Sequence, residues 1–351
     1  MPFQPLESVD PAEVGPYRLL ARLGAGGMGR VYLARSAGGR TVAVKVVRAE
    51  LAEDREFRER FRREVAAARA VAGRHTAPVV DAEPEGPAPW LATAYVLGPS
   101  LTEAVAAHGP LPLATVQALG IGLARALAAV HEAGLVHRDL KPSNVLLAAD
   151  GPKVIDFGIA RALDGDQLTG TGLVVGSPGF MSPEQAAGGR LGPASDVFSL
   201  ASVLVFAVTG AGPFSRDGDT APAALLYRVI HDEPSLDEVP DELLPIVAAC
   251  LAKDPEDRPT PEELLELLDG GPEPLPAGWL PAAVAAALAG HAAAVLDLET
   301  PPRGTELPTP TVVSASAPGA DPTRRLGADT GGAGRTTAAA TPTTVLAAPG
   351  P

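Results

Sequence analysis

Between residues 139 and 158 of this 351-residue chain, three oxygen-bearing side chains are tied to one short ribbon, and this restricts the fold more than any other feature. Val145 to Leu147 and Lys153 to Ile155 read as strands around an Asp150-Gly151 turn, the signature of a tight hairpin. Asn144 precedes the first strand and Asp156 follows the second, so both lie at the same end of the ribbon. A carboxylate and an amide oxygen converging there suit a hard cation such as Mg²⁺. Asp139, on the loop that enters the ribbon, can face the same point. Taken singly, Asp and Asn beside turns are structural residues. Their joint placement is what argues for a site.

The chain around this ribbon divides in two. After Tyr17, Leu19, Leu20 and Leu23 lead into Gly24; Val31 and Leu33 then alternate with Arg30, Tyr32 and Ala34. A Gly38-Gly39 turn follows, then the β-branched run Thr41 to Val47. This pattern predicts consecutive antiparallel strands. A charged helix is expected from about Asp54 to Val71, with weaker strands near Pro78 to Asp81 and Trp90 to Val96. From Leu113 the periodicity is helical, with Ile121, Leu123, Leu127 and Val130 in helical repetition and a stop at Gly134. Helical patterns return at Val197–Val208, Ala223–Ile230, Leu243–Leu251 and Glu262–Leu268. The expected fold class is α+β: a small β-rich lobe carrying one helix, then a larger helical lobe, with a cleft between. The boundaries read as an N-terminal segment over 1–16, the β-rich lobe over 17–96, the helical lobe over 97–270 and a helical extension over 271–299. A Pro/Thr/Ala/Gly-rich tail expected to be disordered covers 300–351.

Composition narrows the function classes. A formal net charge of −14 argues against general nucleic-acid binding and against attraction to an anionic membrane. Met1 to Pro16 carries neither a basic region nor an apolar core, so no signal peptide is expected. The single cysteine, Cys250, lies in an apolar run and reads as core filler in a reducing, cytoplasmic setting. Trp279 to Leu296 lacks Asp, Glu, Lys and Arg, but it is alanine-rich and acid-flanked. It reads as a helix packed on protein rather than a membrane span.

Two further patterns bear on chemistry. Gly24-Ala25-Gly26-Gly27-Met28-Gly29-Arg30-Val31 lies between two strands, where glycines let a backbone approach phosphates closely. By itself such a loop also reads as an ordinary glycine-rich hairpin. In Val42-Ala43-Val44-Lys45, strand alternation puts Ala43 and Lys45 on one face, leaving room for a flat base beside an ammonium. Phe57, Phe61, Glu64 and Ala68 recur at helical spacing, placing Glu64 on an apolar stripe. A carboxylate there needs a partner, and Lys45 is the expected one.

With His137-Arg138-Asp139-Leu140-Lys141-Pro142-Ser143-Asn144 and Asp156-Phe157-Gly158 added, the chain from Tyr17 to Leu268 resembles the protein kinase superfamily. The wording of the 140–144 segment is similar to serine/threonine rather than tyrosine kinases. The chain resembles the bacterial eukaryotic-like (Hanks-type) members, with an actinobacterial leaning from the Gly26-Gly27-Met28-Gly29 loop and the Ala/Gly/Pro/Arg bias. The resemblance implies a bilobal kinase fold that uses ATP and Mg²⁺, with Mn²⁺ as a substitute. It implies that Gly24, Ala25, Gly26, Gly27, Met28, Gly29 and Val31 cover the phosphates while Lys45 contacts them and pairs with Glu64. Asp139 would orient the attacking hydroxyl and take its proton, Lys141 would support the transferred group, and Asn144 and Asp156 would hold the metal. Val31, Ala43 and Leu146 would enclose adenine, with backbone groups at Ala94 and Val96 as the hinge. The resemblance further implies an activation segment ending at Ser182-Pro183-Glu184, with Glu184 on Arg258 and Asp196 bracing the catalytic loop. Thr169 and Thr171 would be phosphorylation sites answering Arg138. Protein substrates, phosphothreonine-binding partners reading tail sites such as Thr300, Thr309 and Thr341, and a transient homodimer for trans-autophosphorylation follow as expected partners. A pseudokinase scaffold would lack Lys45, Asp139 or Asp156, and an aminoglycoside-phosphotransferase-type enzyme would lack the activation segment.

Overall fold

Alternating burial along short β-branched runs builds the N-terminal sheet. Its strands are β1 (Glu13–Val14), β2 (Tyr17–Gly26), β3 (Gly29–Ser36), β4 (Thr41–Val47), β5 (Val79–Glu83) and β6 (Trp90–Ala94). They form one antiparallel six-stranded sheet in the order β1-β2-β3-β4-β6-β5. The computed structural model describes residues 3–71, 73–156, 177–215, 221–270 and 275–299. Tyr17, Leu19, Tyr32, Val42, Val44 and Trp90 make an apolar cluster on one side of the sheet. The other side carries Val47 and Leu91 and is covered by a helix. Alternation puts Lys45 on that same side, opposite Leu91 in register. The segment before Tyr17 closes the sheet edge: Gln4 bridges Arg22, and Asp10, whose side chain is covered, accepts from Arg22 Nε and Tyr32 Oη at 2.6 and 2.7 Å.

Between β4 and β5 lie α1 (Ala49–Ala52) and α2 (Arg55–Ala70). Asp54 starts α2 by accepting from the amides of Glu56 and Phe57, at 2.8 and 3.2 Å. Its buried stripe is Phe57, Phe61, Val65 and Ala68, with Glu64 at the edge of it.

The C-terminal lobe is helical. It contains α3 (Leu101–His108), α4 (Leu113–Glu132), α5 (Pro183–Ala186), α6 (Pro193–Thr209), α7 (Pro222–His231), α8 (Leu244–Cys250), α9 (Pro261–Leu267) and α10 (Ala282–Glu299). The hairpin β7 (Val145–Ala148) and β8 (Gly151–Val154) sits inside this region. Leu119, Leu123 and Leu127 of α4 and Phe198, Leu200 and Leu204 of α6 are fully buried and form the centre of the core. By length and composition alone α4 is apolar enough to cross a membrane, but 67% of its most apolar window is buried in this core. Gly122 lets α4 meet the hairpin, because a Cβ there would come within 2.4 Å of the Pro152 ring.

Two chain segments that run between the lobes hold the hairpin. Leu147 donates to the Pro99 carbonyl at 2.9 Å on one side, and Val154 donates to the His75 carbonyl at 2.8 Å on the other. The open end of the ribbon therefore faces the cleft below the sheet.

The α+β, two-lobed arrangement is the expected one, with local differences. β2 runs through Gly24 to Gly26, which shortens the flap turn to Gly27-Met28. The hairpin turn is Ala149-Asp150, since Gly151 already pairs with Ala148. Helix α3 is missing from the sequence reading because its eight residues, set between Gly98-Pro99 and Gly109-Pro110, are too few to show periodicity. Its signal is the capping box of Ser100 and Glu103. The Trp279–Leu296 stretch supplies α10, which buries Val284 and Val295 on protein. The tail over 300–351 lies outside the described residues.

Replacing fully buried Leu127 with Ala leaves a cavity in the α4–α6 core. It should cost about 2–5 kcal/mol of unfolding free energy in a urea titration.

Candidate active site

The loop from α4 to β7 is held by a carboxylate from another helix. Asp196, in the first turn of α6 and 1% exposed, accepts from the amides of His137 and Arg138 at 2.7 and 2.9 Å. The His131 Nε2 lies 2.8 Å from the same carboxylate. This grip supports Arg138 in a left-handed conformation, φ 65°, which a side chain with Cβ adopts only under constraint. His137 is wholly buried, and burial pushes its pKa down, so the ring is neutral. Its Nδ1 accepts from the Asp139 amide at 3.2 Å, which leaves Nε2–H to donate to the Ile155 carbonyl at 3.1 Å. One tautomer thus ties the loop to the end of the ribbon.

The predicted site residues gather around this frame. Lys141 Nζ lies 2.9 Å from Asp139 Oδ2. Asn144 Nδ2 donates to the Asp139 carbonyl at 2.8 Å and to its carboxylate at 3.3 Å. Ile155 donates to the Asn144 carbonyl at 3.0 Å, so Asp156 follows at the same end of the ribbon, with φ 56°. Asp156 Oδ1 is 3.3 Å from Lys45 Nζ, across the cleft. Asn144 spends its amide nitrogen on Asp139, which leaves Oδ1 without a donor among the described residues. Among those residues no group of three acidic, His or Cys side chains forms a metal cage. One carboxylate and one amide oxygen at the same end of the ribbon fit a hard divalent cation that prefers oxygen donors.

One expected pairing is different. Among the described residues no ion pair joins Lys45 to Glu64. Glu64 Oε1 instead lies 3.4 Å from an Arg138 guanidinium nitrogen, while Lys45 faces Asp156. Glu64 is 15% exposed at the lower end of α2, so it takes the cation that the catalytic loop brings within reach.

Above the ribbon, Gly26 pairs with Gly29 across the Gly27-Met28 turn. A Cβ on Gly29 would come within 1.9 Å of the Val46 carbonyl, so only glycine fits. Met28 packs against the α2 cluster, whereas Gly24, Gly26 and Gly27 would meet nothing within 4 Å and Ala25 is exposed. Val31 stands opposite Lys45, and Ala43 opposite Thr93, all on one face of the sheet. Ala94, the last residue of β6, and Val96 just beyond it are half-buried, and half-buried Leu146 bridges to Ser100 at the end of that segment.

Residues 17–267 match the protein kinase domain family. The chain belongs to the protein kinase family. The serine/threonine-protein kinase AfsK of Streptomyces coelicolor is 55% identical over 256 residues, which is 73% of this chain and 32% of that protein. The probable serine/threonine-protein kinase PkwA of Thermomonospora curvata is 54% identical over 266 residues, 76% of this chain and 35% of that protein. The chain thus spans about a third of the length of these relatives. The crystal structure of the Mycobacterium tuberculosis PknI kinase domain superposes with a TM-score of 0.58 at 27% identity, covering 75% of this chain and 99% of that one. The two-lobed architecture is therefore the protein kinase fold, whose family uses ATP and a divalent metal.

In this kinase the end of the activation segment is anchored in the helical lobe. Glu184 takes two bonds from Arg258, at 2.8 and 2.9 Å, and one from the Ser195 hydroxyl at 2.6 Å. Arg258 is also held by the Ala194, Ala252 and Lys253 carbonyls and lies 5.0 Å over the Phe198 ring. Burial alone would raise the Glu184 pKa, but the bonds from Arg258 and Ser195 outweigh it and bring it down to about 2. Gln185 reaches from the same turn to the Arg138 carbonyl at 2.9 Å, a contact with no signal in the sequence beyond its place after Ser182-Pro183-Glu184. Arg138, Asp139, Lys141, Ser177, Phe180 and Met181 line a small pocket beside this contact. Phe157, Gly158, Thr169 and Thr171 lie outside the described residues.

Because its folded pKa is depressed, the Glu184 carboxylate stabilises the fold above about pH 4.5, and this contribution is lost as pH falls toward 2. Glu184→Gln strands a buried guanidinium and should lower stability by about 3 kcal/mol at pH 7. In urea titrations the gap between wild type and variant should close as pH falls from 4.5 toward 2; a gap independent of pH would show that the pair is not what is lost.

Proposed function

We propose that this kinase transfers the γ-phosphoryl group of ATP to serine and threonine hydroxyls of proteins. The observation that supports this most is the meeting of Lys45 with Asp156, and of Asp139 with Asn144 and Lys141, at the open end of one ribbon beneath the glycine flap. In this reading the face bearing Val31 and Ala43, the Leu146 side chain and the backbone at Ala94 and Val96 receive adenine. Gly24 to Gly29 close over the phosphates, and Lys45 offsets their charge. Asn144 and Asp156 hold Mg²⁺, with Mn²⁺ as substitute; the ion would neutralise charge on the phosphate oxygens.

Asp139 aligns the substrate hydroxyl and takes its proton as the oxygen forms its bond to the γ-phosphorus. The bond from that phosphorus to the bridging oxygen breaks, and ADP leaves with the electron pair. Lys141, 2.9 Å from Asp139, sits where it can also steady the transferred group. The chemistry therefore asks for positioning and charge neutralisation rather than covalent catalysis.

Arg138 supports control by phosphorylation. Its guanidinium is engaged by Glu64, and a phosphothreonine at Thr169 or Thr171, with a charge of about −1.5 to −2, would compete for it. Glu64 would then exchange Arg138 for Lys45. Autophosphorylation between transiently paired copies, phosphothreonine-reading partners at the tail and a cytoplasmic location belong to the same reading.

Asp139→Asn and Lys45→Met should each lower phosphate transfer from radiolabelled ATP to a generic protein by about 10²–10⁴-fold, with thermal melts unchanged. Activity within a few-fold of wild type in either variant would refute the assignment. After incubation with Mg²⁺-ATP, mass mapping should find phosphate on Thr169 or Thr171 of the wild type and on neither in Asp139→Asn. Wild type unmodified at both positions would end the regulatory part.

A further inference from the structure

The extension after α9 lies beyond the residues that match the kinase family, yet it returns to the edge of the nucleotide cleft. Leu275, Trp279, Leu280 and Val284 join the core of the helical lobe. The Trp279 indole donates to the Ala148 carbonyl at the end of β7, and Thr115 donates to the Trp279 carbonyl, both at 3.1 Å. Helix α10 leaves from this anchor. Its inward residues are Val284, Leu288, His291, Ala292 and Val295, and His291 is the one ionisable side chain between Trp279 and Leu296.

That histidine meets the hinge. Its Nε2 lies 2.5 Å from the Tyr95 hydroxyl, and the two rings stack with centroids 6.0 Å apart and 17° between planes. The Phe3 ring closes the far side edge-on at 5.4 Å. Burial pushes the Tyr95 pKa up and that of His291 down, so the phenol keeps its proton and donates it to a neutral imidazole. Tyr95 stands between Ala94 and Val96, the two residues whose backbone is assigned above to adenine. A polar residue on an otherwise Ala/Leu/Val stripe specifies where a helix docks, because any other register would bury the imidazole without a partner.

We propose that α10 is a hinge latch: His291 acts as a positioning residue that fixes Tyr95, and through it the adenine-contacting backbone, so that docking of the extension sets nucleotide affinity. The latch rests on the nucleotide site assigned above. Preorganisation of this kind acts on binding and leaves the phosphoryl-transfer step alone.

The test uses the full chain and ADP with Mg²⁺. In calorimetric titrations, His291→Ala and Tyr95→Phe should each weaken ADP binding about three- to tenfold, the range expected for one lost hydrogen bond. The KM for ATP should rise by the same factor with kcat within about twofold of wild type. His291→Gln, which keeps an acceptor, should recover most of the affinity. The double variant should bind no more weakly than either single one, because both remove the same bond. Leu296→Ala, exposed on the same helix, should bind as wild type does. Tyr95→Phe removes a single oxygen, so it carries the test should His291→Ala fail to fold. Wild-type affinity in Tyr95→Phe, or additive losses in the double variant, would overturn the latch while leaving the nucleotide site standing. A wild-type chain that binds no ADP would overturn the site itself.

Discussion

One carboxylate that scarcely touches water, that of Asp196, holds the catalytic loop in a shape the chain would not adopt unaided. It satisfies two consecutive amides and a histidine of α4, and in doing so supports Arg138 in the left-handed region. Asp139 comes next in the chain, so its direction is set by a residue on a different helix. Buried carboxylates are costly without donors, and here the donors are the loop itself. The neutral ring of His137 then carries the constraint on to Ile155 and the end of the ribbon that bears Asp156.

Charge in the cleft is balanced in pairs. Lys45 meets Asp156, Lys141 meets Asp139, and Arg138 meets Glu64. Each carboxylate partner retains some access to water, so these pairs are exchangeable at modest cost, unlike the Glu184–Arg258 pair, whose guanidinium side chain is fully covered. The protein thus holds two kinds of ion pair. One anchors the activation segment to the helical lobe. The other can be rearranged when a ligand or a phosphate brings new charge.

Much of the fold was legible along the chain. The alternation of Thr41 to Val47, the heptad-like spacing through α4 and the paired turns of the 145–154 ribbon each follow from local backbone geometry. Short elements escaped, α3 and α5 among them, because one or two turns bounded by Pro and Gly carry no measurable period. The ribbon argument also placed Asn144 and Asp156 at one end, since two strands and a tight turn allow no other arrangement.

What the sequence determined by itself was which side chains carry chemistry and which faces of their elements they occupy, because strand and helix periods are local properties. The tertiary structure alone decided who meets whom. Glu64 could reach Lys45 or Arg138 from the same helix face, and only the packing of α2 over the catalytic loop selects Arg138. The contacts of Gln185 with Arg138 and of His291 with Tyr95 join residues 47 and 196 positions apart, separations over which no local pattern operates. Such pairings are set by how helices and sheet close around a shared core, a property of the whole chain rather than of any segment.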